Sequence, residues 1–194
     1  MARVAVVRTL EVVRHSLTRK GPDKSKASHL SPEGVQLARQ LGESMPRMDY
    51  VAVGDQPRHL ETAIAMGFAV DEQTVWPSGY VDGEVHHHDQ WTWENPFVHY
   101  ATLLARGCRL RDVAQEHLGH WRRILDAVPD GGGALVVSSG GSIEPVLVAA
   151  FPDADHAGWG GALHQLEGAT IRVDDGRFTD VVLRRCPPLP QGTS

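Results

Sequence analysis

The sequence predicts an α/β fold, specifically a three-layer α/β/α sandwich with a mainly parallel central sheet. Segments with the composition of strands alternate with segments that carry the period and end signals of helices, and this alternation is typical of such folds. A strongly apolar strand, Ala134–Val137, follows a glycine turn and precedes a further helix. No internal repeat or interdomain linker interrupts the 194 residues, so a single domain is predicted.

The first half of the chain contains two predicted strand–helix pairs. Thr9–Val13 is a short β-rich run. Ser31–Glu33 is a helix start, because serine caps, proline suits the first helical position and glutamate favours the positive end of the helix dipole. This helix is expected to end near Met45–Pro46. Tyr50–Val53 predicts a second strand, and Pro57–Ala65 predicts the helix after it.

The second half begins with a segment, residues 71–95, that is rich in tryptophan and histidine and predicts no regular element. Helices are predicted over Pro96–Ala105 and Leu110–Ala127, and another runs to about Ala150 after the apolar strand. Two strand-like stretches, Ala169–Val173 and Phe178–Leu183, precede a proline-rich tail over residues 187–194 that we expect to be frayed.

Composition excludes several classes of function. A net charge of -5 provides no electrostatic footprint for nucleic acid, so an anionic ligand needs a local basic cluster. No stretch approaches the roughly 20 apolar residues of a membrane-spanning helix. Glu11 interrupts the apolar N-terminal run, which favours a strand over a signal peptide. Cys108 and Cys186 form neither a disulfide framework nor a zinc cluster, which fits a reducing cytoplasm.

Polar residues follow three of the predicted strands. Arg14, His15 and Ser16 follow the first strand, Arg58 begins the helix after the second, and Ser139 follows the apolar strand. Ligands of open α/β sheets bind at the carboxyl ends of the strands, where loops and helix N-termini converge. Two arginines, a histidine and a helix N-terminus at one point would form a strong site for an oxyanion.

Four ordered segments between about Thr9 and Leu147 resemble motifs of the histidine phosphatase superfamily, whose members are phosphoglycerate mutase-like. RHS at 14–16 resembles RHG, and LSPEGVQLARQLG at 30–42 resembles LTxxGxxQAxxLG, with its glutamine one position early. PRHLETA at 57–63 resembles SPxxRAxxTA, and VVSSGGSIEPVL at 136–147 resembles VVSHGGxI. The resemblance implies the phosphoglycerate mutase-like version of the predicted fold.

The resemblance also implies a mechanism, in which His15 is the nucleophile that accepts a phosphoryl group. A neutral imidazole attacks phosphorus well, and covalent capture divides one difficult displacement into two easier ones. Arg14 and Arg58 are implied to hold the negative charge that spreads over the phosphoryl oxygens. The remaining implied phosphate-binding positions are Ser16, Ser139 and Gly140.

Departure of the leaving group needs a proton donor. Members of the mutase-like branch use a glutamate downstream of the second arginine, and Glu84 is the natural candidate here, with Asp82 and Asp89 as rivals. No metal or other cofactor is implied. His86–His88 does not predict a metal site, because three consecutive histidines cannot all face one ion on a strand or helix.

One position departs from the catalytic pattern. Ser139 stands where VVSHGG has its second histidine, and a serine hydroxyl offers a weaker, neutral hydrogen bond. Loss of a comparable oxyanion donor costs about 100- to 1,000-fold in rate. On this reasoning a Ser139→His change would raise turnover.

The sequence therefore predicts a metal-independent phosphomonoesterase that acts through a phosphohistidine on a small anionic, phosphorylated substrate and is weakened by Ser139. Two alternatives stay open. One is a non-catalytic pseudophosphatase that binds a phospho-ligand, and the other is an enzyme of another class that reuses the anion pocket in a biosynthetic pathway. Neither the identity of the substrate nor the oligomeric state is predicted.

Overall fold

A computed structural model describes residues 7–20 and 28–186, so the predicted frayed tail lies outside the described residues. Six strands form one sheet: β1 (Val7–Arg14), β2 (Tyr50–Gly54), β3 (Glu72–Thr74), β4 (Gly133–Ser138), β5 (Gly168–Asp174) and β6 (Arg177–Arg184). Their order is β3-β2-β4-β1-β5-β6. The neighbours from β3 to β1 are parallel, whereas β5 runs antiparallel to β1 and to β6. The predicted α/β fold with a mainly parallel sheet is confirmed.

Helices cover both faces of the sheet: α1 (Pro32–Ser44), α2 (Pro57–Ala65), α3 (Pro96–Ala105), α4 (Arg109–Asp126) and α5 (Gly140–Ala150). Alternate residues of β4 explain the three layers. Ala134 and Val136 belong to the core beneath α3, α4 and α5, while Leu135 and Val137 belong to the core beneath α1 and α2. Successive side chains of a strand point to opposite faces, so one apolar strand serves both cores.

The helix signals read from the sequence coincide with the observed ends. The Ser31 hydroxyl accepts a hydrogen bond from the Gly34 N–H, as the serine cap of α1 predicted. The predicted bounds of α2 and α3 are the observed ones. The segment over residues 71–95 is more regular than predicted, since it contains β3 and a short 3₁₀ turn at Asp89–Trp91. β3 carries no strong apolar pattern and forms through pairing with β2.

Candidate functional site

The candidate site lies at the carboxyl ends of β1 and β4. Arg14 is the last residue of β1, and the backbone N–H of His15 donates to the Ser138 carbonyl at 2.9 Å. This bond continues the β1–β4 pairing and places the His15 side chain directly beside the N-terminus of α5. The parallel register of the two strands therefore brings the first and third polar segments together.

The imidazole of His15 is buried and has a defined tautomer. Its Nδ1 lies 2.7 Å from the carbonyl oxygen of Ser16. A carbonyl only accepts hydrogen bonds, so Nδ1 carries the proton and Nε2 carries the lone pair. Burial lowers the pKa of His15 well below its usual value, and the charges of Arg14 and Arg58 lower it further, against the opposing effect of the Ser16 carbonyl. His15 is therefore a neutral imidazole at physiological pH.

A cavity of about 300 Å³ opens beside His15. Arg14, Arg58, Ser139 and Gly140 line it together with His15, so the structure brings these five predicted residues to one place. The N-terminus of α5 contributes Gly140 and Gly141, where the positive end of the helix dipole favours an anion. Among the described residues that line this site cavity there is no carboxylate.

Neither arginine forms a salt bridge with a carboxylate of the described residues. An Arg14 Nη1 hydrogen bond to the Leu163 carbonyl, 2.5 Å long, anchors one side of that guanidinium, which also lies 5.0 Å from the ring centre of Trp91. The Nε atoms of Arg14 and Arg58 have no hydrogen-bond partner within the described parts of the chain. Burial lowers the pKa of both arginines, yet an arginine stays charged in proteins. Two partly buried cations thus face the same cavity.

The segment over residues 71–95 forms another wall of the site cavity. Tyr80, His87, His88 and Gln90 line the site cavity, and Gln90 Nε2 donates to the Tyr80 hydroxyl at 3.0 Å. A Cβ on Gly141 would lie 2.7 Å from the Tyr80 ring, so glycine at the start of α5 permits this close approach. The predicted tryptophan- and histidine-rich segment therefore lies at the site.

A second cavity of about 350 Å³ adjoins the first and shares four lining residues with it, namely Arg58, Tyr80, His87 and Ser139. Asp55 and Trp76 are among its other lining residues. The pair of cavities gives room for a phosphoryl group and for the group attached to it. A larger groove of about 660 Å³, between α1 and α2, contains none of the sequence-predicted site residues.

The structure does not bring Ser16 and Glu84 to the cavity. The Ser16 hydroxyl is fully buried and donates to the Gly34 carbonyl at 2.7 Å, which ties the β1 loop to α1. The carboxylate of Glu84 accepts hydrogen bonds from the N–H groups of Arg109 and Leu110, both at 2.8 Å. Its position is that of a cap on α4. The rivals also lie elsewhere, since Asp89 accepts from the His86 N–H and Asp82 is an exposed residue beside a separate pocket.

The sequence reasoning missed Tyr80 and Gln90, which line the site cavity, and it also missed His59. His59, on the first turn of α2, has its ring centre 5.7 Å from that of His15, and its Nε2 lies 3.0 Å from Ser139 Oγ. A signal was present, because the family pattern SPxxRAxxTA has alanine after the arginine and this chain has histidine there.

Comparison of the structure with solved structures decides the fold family. Phosphoserine phosphatase from Entamoeba histolytica, solved with 3-phosphoglyceric acid, superposes with a TM-score of 0.60 over 92% of this chain and 95% of that one, at 13% identity. The chain has the phosphoglycerate mutase-like fold. Phosphoglycerate mutase from Bacillus anthracis str. Sterne (TM-score 0.59, 16% identity) covers 90% of this chain and 92% of its own. YhfR from Bacillus stearothermophilus superposes with a TM-score of 0.58 at 20% identity, over 89% of this chain and 94% of that one.

The similarity is one of structure. No protein-family model and no curated protein sequence matches the chain. In the described part of the chain, no helix is long and apolar enough to span a membrane. The same residues contain no group of three or more histidine, cysteine or acidic side chains placed to hold a metal ion.

Proposed function

We propose that this chain is a histidine phosphatase-type phosphomonoesterase that hydrolyses a small phosphorylated substrate through a phosphohistidine at His15. The observation that carries the proposal is the environment of His15. Its Nδ1–H is engaged by the Ser16 carbonyl, and the ring lines the cavity together with Arg14 and Arg58, neither of which has a salt-bridge partner in the described residues. A neutral imidazole with a free Nε2 beside two cations suits attack on a phosphoryl group.

The proposed reaction has two steps. His15 Nε2 forms a bond to phosphorus while the phosphorus–oxygen bond to the leaving group breaks, and the leaving oxygen takes a proton from an acid in the site. Water then attacks phosphorus, the nitrogen–phosphorus bond breaks, and the group that donated the proton in the first step takes one back from the water. Arg14, Arg58, the Ser139 hydroxyl and the N-terminus of α5 at Gly140 bind the phosphoryl oxygens in both steps.

The placement of Glu84 argues for a different proton donor from the one that the sequence suggested. Tyr80 and His87 carry exchangeable protons and line both cavities, where the leaving oxygen would lie. Imidazole is the side chain that most often transfers protons in enzymes, so we assign the role to His87. The similarity of the fold to a phosphoserine phosphatase and a phosphoglycerate mutase supports phosphoryl chemistry at this edge of the sheet.

The decisive experiment measures turnover of an aryl phosphate by the full chain with a chelator present, beside His15→Ala and, as a matched control, His156→Ala. His156 is also buried, and its ring forms a hydrogen bond with the Phe151 carbonyl, away from the cavity. We expect turnover to survive chelation, to be lost in His15→Ala and to persist in His156→Ala. An acid-labile phosphoryl group on His15 should be trapped in the parent chain. Turnover that persists in His15→Ala would refute the mechanism.

The pH profile provides an independent test. The pKa of His15 is held well below its ordinary value of about 6.5, mainly by burial. The unprotonated ring is the nucleophile. Because its pKa is low, protonation of His15 should not cause kcat/KM to decline around pH 6.5 as the pH is lowered. A decline there that shifts in an Arg58→Lys variant would show that His15 is accessible to protons and would contradict the proposed environment.

Ser139 favours a second candidate function, a phospho-ligand-binding protein without turnover, because this position lacks the histidine of the family pattern. In that case the parent chain would bind phosphate esters with dependence on Arg14 and Arg58 and form no phosphohistidine.

A further inference from the structure

Two departures from the histidine phosphatase pattern lie against each other in the structure. Ser139 replaces the histidine of VVSHGG, and His59 replaces the alanine that follows the arginine in SPxxRAxxTA. The two positions are 80 residues apart, yet His59 Nε2 and Ser139 Oγ are within hydrogen-bond distance, at 3.0 Å. The site has therefore lost an imidazole from one wall and gained one on the adjacent wall.

The structure accommodates the His59 ring specifically. His59 is 5% exposed on the first turn of α2, and its Nδ1 packs against Gly54 at the end of β2. A Cβ at position 54 would lie 2.3 Å from Nδ1, so any larger residue there would displace the ring. Ser139 lines the site cavity while His59 lines the adjoining one, so His59 reaches the first cavity through Ser139.

The surroundings of the ring determine the direction of the His59–Ser139 bond. Burial, and then the charge of Arg58, lower the pKa of His59 to about 3 against the opposing effect of the Gly54 backbone, so the ring is neutral and carries one N–H. Nδ1 is buried against Gly54, and no acceptor among the described residues, the Gly54 carbonyl included, meets it at the distance and angle of a hydrogen bond. A buried N–H without a partner is rarer in proteins than a lone pair without one, which places the proton on Nε2. Nε2–H then donates to Ser139 Oγ.

This direction leaves the hydroxyl proton of Ser139 free. Once Oγ accepts from His59, the hydroxyl can donate to an anion in the cavity and cannot turn its proton towards the ring. A hydroxyl fixed in this way is a better oxyanion donor than a freely rotating one, because its orientation costs no reorganisation when charge develops.

We propose that His59 acts through Ser139, as a positioning residue that holds the Ser139 hydroxyl as a donor to a phosphoryl oxygen. The identity of the ligand rests on the proposed function. No bond is made or broken at either residue. The pair delivers a hydrogen bond to the phosphoryl group from the N-terminal end of α5, where Ser139 lines the site cavity.

The proposal changes what is expected of Ser139→His. An imidazole at position 139 would meet the His59 ring, whose Nε2 is already 3.0 Å from Oγ, so the single change should lower turnover. The pair His59→Ala with Ser139→His moves the imidazole to the other wall at nearly constant side-chain volume. We expect turnover by the double variant to exceed that of the single Ser139→His variant at least tenfold.

A double-mutant cycle on the full chain tests the coupling, with the affinity for inorganic phosphate as the readout. His59→Ala and Ser139→Ala should each weaken phosphate binding about tenfold, the effect of one lost hydrogen bond. The double variant should bind as Ser139→Ala does, within about twofold, because in this proposal His59 acts on the ligand through Ser139. Additive losses, about 100-fold in the double variant, would overturn the proposal.

Two further variants separate positioning from stability. His59→Gln keeps an N–H donor of similar reach and should bind phosphate within about threefold of the parent. His156→Ala, the matched buried histidine, should lower the melting temperature and leave the affinity unchanged. Equal losses of affinity in His59→Gln and His59→Ala, or a loss in His156→Ala, would overturn the proposal.

These outcomes differ from those of the proposed function. If the parent chain binds phosphate but hydrolyses no phosphate ester, the proposed phosphatase function is refuted, while the double-mutant cycle still tests the His59–Ser139 coupling. If the parent chain hydrolyses a phosphate ester and the losses of phosphate affinity at positions 59 and 139 are additive, the proposed function stands and the coupling is refuted. A parent chain that does not bind millimolar phosphate would overturn both.

Discussion

Glu144 shows at the scale of one residue how Arg14 is kept in place. It is fully buried on α5, and its Oε1 accepts a hydrogen bond from the Leu163 N–H at 2.7 Å. The carbonyl of the same residue, Leu163, accepts the Arg14 hydrogen bond. Burial raises the pKa of Glu144 to about 7, although the Leu163 N–H and the charge of Arg14 oppose this shift. The carboxyl group therefore changes its charge near neutral pH within the layer that supports Arg14.

Glu144→Gln is expected to change the dependence of stability on pH. The folded pKa lies above the unfolded value of 4.5, so the contribution of Glu144 to stability is complete below pH 4.5 and is lost as the pH rises to about 7. A difference of about 2.5 units corresponds to roughly 3 kcal/mol. The free energy of unfolding of Glu144→Gln minus that of the parent should rise by up to this amount from pH 4.5 to pH 8. Urea denaturation measures it, and a constant difference would contradict it.

At the scale of an element, α4 begins without help from its own N-cap. Cys108 occupies that position and makes no side-chain capping bond. Glu84, from a loop 25 residues earlier, supplies both acceptors instead. Burial acts to raise the pKa of Glu84, but the N–H groups of Leu110 and Arg109 outweigh it and leave the pKa below its ordinary value. The capping bond links the segment that carries Tyr80 and His87 to a helix of the core.

Glu84→Ala should therefore cost stability more than chemistry. Loss of a side-chain cap typically costs about 1 kcal/mol, and we expect that decrease in the free energy of unfolding while turnover changes by less than about tenfold. Asp82→Ala, at an exposed carboxylate in the same turn, is the control and should change neither quantity. If turnover instead fell by about two orders of magnitude at unchanged stability, Glu84 would be restored as the proton donor.

At the scale of the whole molecule, an ion pair joins the antiparallel part of the sheet to its parallel part. Glu11 of β1 is 5% exposed, and its carboxylate accepts from Arg184 of β6 at 2.7 Å and from Thr170 of β5 at 2.8 Å. The pair spans three strands and joins residues 173 positions apart. It fastens the C-terminal hairpin to the strand that ends at the site.

Arg184→Met should destabilise the chain by about 3 to 5 kcal/mol, because it leaves the Glu11 charge buried without its cation. Adding Glu11→Gln should recover most of this loss, since the amide carries no charge and can still accept from Thr170. Chemical denaturation of the two single variants and the double variant measures the coupling. Equal stability of Arg184→Met and the double variant would show that the carboxylate is adequately solvated without Arg184.

The sequence by itself determined most of the elements, the order in which they occur and the place of the proposed nucleophile in the chain. Ser31 caps α1, Pro57 opens α2, and the apolar run of β4 lies between two turns, because capping, helix starts and burial periods depend on residues a few positions apart. Arg14 and His15 could be placed at a strand end for the same reason. Parallel strands then bring their carboxyl ends together at one edge of the sheet.

Only the tertiary structure decided which polar side chains meet. Glu84 caps a helix and Ser16 bonds to α1, while His59 reaches Ser139 across 80 positions. These contacts depend on strand register and on the approach of loops to helix ends, which no local pattern encodes. Burial also depends on the tertiary structure. The low pKa of His59 and the raised pKa of Glu144 arise from the packing of distant segments around each group.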